Sequence, residues 1–348
     1  MPPPTGSRPL STVSPTSIER LLACPLRIAF EQATTGGAVA QGAPRALVGV
    51  AIHRAIGLCL GDPTLGVEAA WSRACDEMAQ TGPDPRGAPS ARRAFLRLQR
   101  RLPDLIEYIH EREPSELLRE CVVTSPDGTM SGQVDLLILG ERPAIVDHKT
   151  GSVLTEGLPR KSYQRQLAIY AWIVEGSLGV EVDEAALFSL REGIVEVDVS
   201  GPVRRSIASE AMSAMEAFNM RAPGAQPATP SAHACGVCPF IGPCDPAWEA
   251  LHEGGIEGFG WGDAVRGRVR APIVKSAGGA AAVPLNAQIG TVVGHVTVFD
   301  VPIPMVETCS VGDQVSAWRL ARRSDEPVAL AWREGTSNLQ IDPQGEHS

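Results

Sequence analysis

Apolar positions fall at helical spacing along the first third of the chain and into strand-like runs at its centre. Ser17 is placed to cap a helix that carries Ile18, Leu21 and Leu22 and runs on through Cys24 to Phe30. Gly36–Pro44 reads as a loop, and Val48–Leu60 as a helix with His53 inside it. Residues 86–101 hold six arginines and no acid, mostly on a further helix. Gly132–Leu139 and Ala144–Lys149 are apolar runs around Gly140-Glu141-Arg142-Pro143, a hairpin signal. Lys161–Glu175 returns to helical spacing, and further strand and helix segments lead to Arg221. Breakers crowd Ala222–Ser231, and three cysteines follow at 235–244. From about Gly254 the pattern changes to short strands between Gly and Pro: Ala264–Arg270, Ile289–Phe299, Gln314–Leu320 and Val328–Arg333.

At 348 residues, the chain is long for one domain, and roughly 150 residues per domain gives a prior of about two. The pattern divides it into a flexible N-terminal arm over 1–16, an α/β domain over 17–250 and a small β-rich domain over 262–340 that reads as a barrel. Apolar runs such as Ala168–Val174 fall far short of the ~20 residues a spanning helix needs. The N-terminus lacks the basic patch and apolar stretch of an export signal. The expectation is a cytoplasmic protein without a membrane partner. A net charge of −9 argues against coating nucleic acid by bulk charge. The arginines Arg92, Arg93, Arg97, Arg100 and Arg101 are the best local site for phosphate contacts, although any one of them reads more readily as part of a solvated helix face.

Only three of the 31 basic residues are lysines: Lys149, Lys161 and Lys275. None follows a glycine, so the phosphate-binding loop of an ATPase or helicase is absent. Asp147 and Lys149 are two apart on a strand and leave the same face. A three-residue loop at 140–142 sets Asp135 opposite Asp147; a four-residue loop sets it opposite His148. Two carboxylates and an ammonium on one face suit Mg²⁺ or Mn²⁺ chemistry on a phosphate. Asp-X-Lys alone is a common exposed charged pair, but lysine is so rare here that its presence in this slot carries weight. Gln166 and Tyr170 are four apart on the next helix, and Tyr163 shares their side. Glu120 is a further candidate acid.

Cys235-Gly-Val-Cys238 followed by Cys244 has the compact spacing of an iron–sulfur loop, and Cys24 is the choice for a fourth ligand. A Cys₄ zinc site meets the same residues. Cys59, Cys75, Cys121 and Cys309 sit in apolar or strand-like surroundings and read as ordinary thiols.

The order of these motifs resembles the PD-(D/E)XK nuclease superfamily, in particular its RecB-like branch: a helical His (His53), Gly-X-Val-Asp ending at Asp135, Asp147-X-Lys149, then Gln166-X-X-X-Tyr170. The resemblance implies that His53, Asp135, Asp147 and the backbone carbonyl of His148 ligate Mg²⁺ or Mn²⁺. It implies that Lys149 assists the attacking water and that Gln166 and Tyr170 position DNA. The cysteines resemble those of the iron–sulfur RecB-like nucleases, which include AddB and the CRISPR-associated four-cysteine nucleases. There one N-terminal and three C-terminal cysteines hold a [4Fe–4S] cluster. The fold expected is thus an α/β restriction-endonuclease-like core with an iron–sulfur staple, then an OB-like barrel. The activity expected is hydrolysis of single-stranded DNA or DNA ends, exonuclease before endonuclease, in repair, recombination or phage defence. Any unwinding falls to a separate helicase or defence-complex subunit. The rival expectation is a non-catalytic DNA-binding subunit with the same fold.

The resemblance covers about residues 10–250. In the tail, Val265, Gly267 and Val269 alternate with Arg266, Arg268 and Arg270, an apolar face against a basic one. Trp318, Trp332 and Phe299 serve either the barrel core or stacking on a single strand.

Overall fold

The computed structural model describes residues 4, 6–34, 44–222, 224–260, 262–333 and 336–343. In chain order, helices α1 (Pro15–Ala23), α2 (Pro25–Ala33), α3 (Pro44–Gly61), α4 (Val67–Ala79) and α5 (Ala91–His110) precede the strands β1 (Glu116–Thr124), β2 (Ser131–Leu139) and β3 (Ala144–Lys149). A short hairpin of β4 (Leu154–Thr155) and β5 (Leu158–Pro159) leads to α6 (Lys161–Leu178), β6 (Glu184–Ser189), β7 (Gly193–Asp198) and α7 (Gly201–Arg221). The chain divides into two compact units.

One unit comprises Pro9–Leu22 and Gly36–Met220. Its sheet runs β1-β2-β3-β6-β7, with β3 and β6 parallel and the other neighbours antiparallel. Both faces are covered, which is why β2 and β3 read as continuous apolar runs. On one face Leu136, Ile138, Val146 and Phe188 pack with Ile52 and Ile56 of α3 and Leu98 and Leu102 of α5. On the other, Val134, Leu137, Ile145 and Leu187 pack with Ile169 and Ile173 of α6. This is the α/β core expected from the sequence. Arg204 of α7 is fully buried and is bound by Glu175, Glu181 and Asp183 at 2.6–2.9 Å.

The other unit comprises Met1–Arg8, Ala23–Thr35 and Arg221–Ser348. It holds α2, α8 (Ala232–Gly236), α9 (Asp245–His252) and strands β8 (Asp263–Val269), β9 (Val274–Lys275), β10 (Ala280–Gly290), β11 (Gly294–Pro302), β12 (Gln314–Asp325), β13 (Val328–Ala331) and β14 (Asn338–Asp342). Strands β8, β10, β11, β13 and β12 pair in that order, and β12 pairs back to β8, closing a five-stranded barrel. Within this sheet, among the described residues, only the β11–β13 pair is parallel. Val265, Val283, Leu285, Val298, Val315 and Leu330 fill the interior.

Three expectations are corrected here. The single helix from Ser17 to Phe30 is two helices, because Pro25 lacks an N–H and drives the preceding Cys24 into an extended conformation at the N-cap of α2. The N-terminal arm is not loose where described: Leu10 and Asn219 exchange hydrogen bonds at 2.7 and 3.0 Å, and Val13 bridges to Met130. Its residues 1–3 and 5 lie outside the described residues, as do 36–43 of the expected loop. The basic face of Val265–Arg270 is incomplete, because Arg266 is buried, bound to Asp245 at 2.8 Å and stacked over Trp248.

Candidate active site

The β2–β3 register decides where the acids meet. Leu136 faces Val146, Leu137 faces Ile145 and Ile138 faces Ala144, which is the register of the three-residue loop, and Asp135 comes level with Asp147 one step beyond the paired residues. The His148 amide donates to Asp135 Oδ2 at 2.7 Å, and the Asp135 Oδ1 lies 3.3 Å from His53 Nδ1 of α3. His53 thus closes on the sheet from the helix that covers it.

Asp147, Lys149 and Gln166 form a closed ring of polar contacts. Lys149 Nζ stands 2.5 Å from Asp147 Oδ2 and donates to Gln166 Oε1 at 3.3 Å; Gln166 Nε2 donates to Asp147 Oδ1 at 3.2 Å. Tyr163 offers its ring face to the Lys149 ammonium at 4.9 Å. Tyr170 hydrogen-bonds Gln166 one turn away on α6. The Gly-X-Val-Asp motif has a packing reason: a β-carbon on Gly132 would stand 2.9 Å from the Tyr170 ring.

Burial and charge separate the two carboxyls. Burial pushes Asp147 up to about 6; the Lys149 charge opposes this, and the Asp135 charge adds to it. Asp135 is buried too, which raises it, yet the His53 hydrogen bond and the His53 and His148 charges bring it down to about 2. His53 is depressed by burial but raised on balance by the Asp135 hydrogen bond and charge. His148 is buried against Phe188 and the His53 ring, and burial lowers it to about 4.

The ligand atoms of His53, Asp135 and His148 lie within 4.8 Å of one another, close enough to hold one metal ion. The sequence points to the His148 backbone; the structure adds its side chain, whose Nε2 is buried without a hydrogen-bond partner among the described residues. Glu120 of β1 is exposed and in a left-handed conformation at φ 47°. Of the arginines on α5, Arg92, Arg93 and Arg100 are exposed, while Arg97 and Arg101 are half-buried and Arg101 is bound to Asp104 at 3.1 Å.

A family model described as the PD-(D/E)XK nuclease superfamily matches residues 12–245, about two-thirds of the chain. The chain belongs to that superfamily. Among solved structures, the nuclease is similar to one described as "Crystal structure of SSO0001", at 16% identity and a TM-score of 0.33, covering 69% of this chain and 89% of that one. It is also similar to a "Putative exonuclease" from Eubacterium rectale, at 11% identity and a TM-score of 0.43, covering 68% of this chain and 87% of that one. No curated protein matches. Superfamily membership makes this a metal-dependent nuclease in general terms, with nucleic acid as its substrate. Among the described residues no helix is long and apolar enough to cross a membrane.

The cysteines form a second constellation in the barrel-containing unit of the nuclease. Cys24, Cys235, Cys238 and Cys244 line one apolar pocket with Leu26, Phe30 and Phe240. Local backbone contacts fix them. Leu26 N–H donates to Pro227 O at 3.0 Å, the Cys238 amide to Cys235 O at 3.1 Å and the Cys244 amide to Ile241 O at 3.1 Å. Burial pushes the Cys238 thiol up to about 11 and the Cys244 thiol to about 12. Cys59 and Cys75 belong to the helical core, in line with ordinary buried thiols.

Proposed function

We propose that the protein is a Mg²⁺- or Mn²⁺-dependent deoxyribonuclease of the RecB-like branch that hydrolyses single-stranded DNA from an end. The observation that carries this reading is the ring of Asp147, Lys149 and Gln166 set beside Asp135 and His53. A bare structural ion pair would need neither the second carboxylate nor the histidine. His53, Asp135 and Asp147, with the His148 carbonyl or ring, offer donors that fit a divalent ion. When bound, the ion would neutralise charge on the phosphate under attack and acidify a water.

The chain's own residues supply the rest. Lys149 presents an ammonium to the reacting phosphate or to the attacking water. Gln166 holds Asp147 and Lys149 in mutual orientation, so that neither turns away when substrate enters. Tyr163 and Tyr170 bound the same face of α6. Exposed arginines on α5 guide the backbone without reading bases. Repair, recombination and phage defence are compatible settings, with unwinding left to a separate helicase or complex subunit.

The meeting of Cys24 with Cys235, Cys238 and Cys244 in one apolar pocket supports reading it as a [4Fe–4S] site, and a Cys₄ zinc site meets the same residues. The OB-like reading of the barrel is supported by its five-strand closure with one parallel pair.

The test is cleavage of end-labelled single-stranded DNA with Mn²⁺ by the wild type and by Lys149→Ala. Cleavage lost in the variant, with DNA binding retained, supports the enzyme. A wild type that binds DNA and never cuts it, in any divalent ion, supports the binding-subunit alternative.

A further inference from the structure

A second cavity, of about 420 Å³, opens beside the end of β3 and is lined by Ser90, Arg93, Arg97, Thr150, Gly151 and Arg191. Its three cations come from two places in the fold. Arg93 and Arg97 are four apart and share one face of α5. Arg191 sits in the turn between β6 and β7. Among the described residues these three arginines form no ion pair, whereas Arg101 on the same helix binds Asp104. The acid next to Arg191, Glu192, is engaged by the Ser189 and Ser152 side chains and the Val153 backbone, and the Arg191 charge acts on it more weakly than these.

The cavity is held by buried connections. Ser189 is fully buried; its hydroxyl bonds the Gly151 carbonyl at 3.0 Å and accepts the Arg191 and Glu192 amides at 3.1 Å. Arg101 donates to the Arg191 carbonyl at 3.1 Å, tying the turn to α5. The Leu190 amide donates to the Lys149 carbonyl at 3.0 Å, which joins the turn to the strand end carrying the catalytic lysine. Three guanidiniums thus line one cavity without ion-pair partners among the described residues, next to the proposed reaction centre.

The spacing suits a neighbouring phosphate of the same strand. Thr150 follows Lys149 directly, and Val48 in the cavity wall lies five residues before His53 on α3, about 7.5 Å at 1.5 Å per residue. Phosphates along one strand rise about 3.4 Å each in a duplex, so the cavity lies about two nucleotides from the scissile bond. Its charge selects among phosphates. An internal diester carries one charge, whereas a terminal monoester carries up to two and presents three acceptor oxygens. Three arginine forks match the monoester.

We infer that this cavity binds the terminal phosphate of a DNA strand and makes phosphorylated ends the preferred substrates. The inference rests on the nuclease reading above and specifies its substrate. The test is fluorescence-anisotropy binding of the full chain, with Ca²⁺ in place of Mg²⁺, to single strands that differ only in a 5′-phosphate, 5′-hydroxyl, 3′-phosphate or 3′-hydroxyl end. The expected result is roughly tenfold tighter binding of one phosphorylated end, which also shows the polarity. That preference shrinks to within about twofold in Arg97→Gln and in Arg191→Gln, each checked for an unchanged melting temperature. Equal binding of all four ends by the wild type, or a preference that persists in both variants, overturns it. Cleavage with Mn²⁺ but no end preference removes the cavity's role and leaves the nuclease standing. End preference without cleavage does the reverse.

Discussion

Gly132 and Tyr170 approach so closely that a β-carbon on Gly132 would lie 2.9 Å from the tyrosine Cε1 and 3.2 Å from its hydroxyl. The same β-carbon would stand 2.9 Å from Cδ of Pro15, whose ring has no rotamer in which to retreat. Tyr170 in turn bonds Gln166, the residue that holds Asp147 and Lys149. Gly132→Ala is therefore expected to destabilise the fold by about 1–3 kcal/mol through overpacking. It should also lower cleavage roughly 10²-fold, because displacement of a positioning network by ~1 Å is enough for that. Thermal unfolding and Mn²⁺-dependent cleavage of this variant check both figures, and wild-type values for each would remove the packing account of the glycine.

Lys149 is the cation that pairs with Asp147, and its replacement separates catalysis from metal binding. Lys149→Ala is expected to cut cleavage by about 10²–10³-fold, the usual loss for one charged stabiliser of a developing anion. Mn²⁺ affinity, read by calorimetry, should stay within a few-fold, since His53, Asp135 and Asp147 remain. Asp135→Asn should lose both. If Lys149→Ala loses metal as completely as Asp135→Asn, the lysine acts by holding Asp147 in place and not on the substrate.

Much of the site follows from local rules. The 140–142 loop length decides that Asp135 lies level with Asp147, and the four-residue step of α6 puts Gln166 and Tyr170 together. What stays hidden depends on distant segments. Arg266 alternates correctly for an exposed basic strand, but alternation within the strand carries no sign of Asp245, 21 residues earlier, which takes the arginine's charge inside. Arg191 reaches α5 across 90 residues of sequence, through the pairing of β6 with β3. The His148 ring is readable as a residue but not as a ligand, because its neighbour His53 comes from a helix packed on the sheet.

The cysteine pocket and the barrel share a mechanical link that is open to test. Arg266 of β8 reaches the Gly242 carbonyl at 2.5 Å, inside the loop between Cys238 and Cys244, and Arg319 of β12 donates to the Gly236 carbonyl at 2.7 Å, between Cys235 and Cys238. Replacing Cys24, Cys235, Cys238 or Cys244 by Ser should abolish the bound iron and its visible absorbance in protein purified without oxygen. Cys309→Ser should retain both. Arg266→Ala should keep the ligands but lose iron several-fold faster in air, because the loop that carries them is released. Zinc in place of iron in the wild type would sink the cluster assignment and leave the four ligands intact.

Glu19 of α1 gives the fold a pH dependence of its own. Its side chain is 19% exposed and lies 3.3 Å from Arg165 of α6. Burial pushes its carboxyl from the ordinary 4.5 up to about 7; the Arg165 charge and hydrogen bond offset part of this, and the Glu210 charge adds to it. Its Oε1 has no hydrogen-bond partner among the described residues. Because the folded value lies above the unfolded one, folding takes up a proton between them. The stabilisation is complete below about 4.5 and is lost as pH rises through about 7. At about 1.4 kcal/mol per unit, and allowing for the remaining solvent contact, the loss is on the order of 2 kcal/mol. Glu19→Gln should flatten the fall in stability between about pH 5 and 8 by about that amount, as read by urea unfolding at each pH. A variant that loses stability over this range as steeply as the wild type would assign the effect to another group.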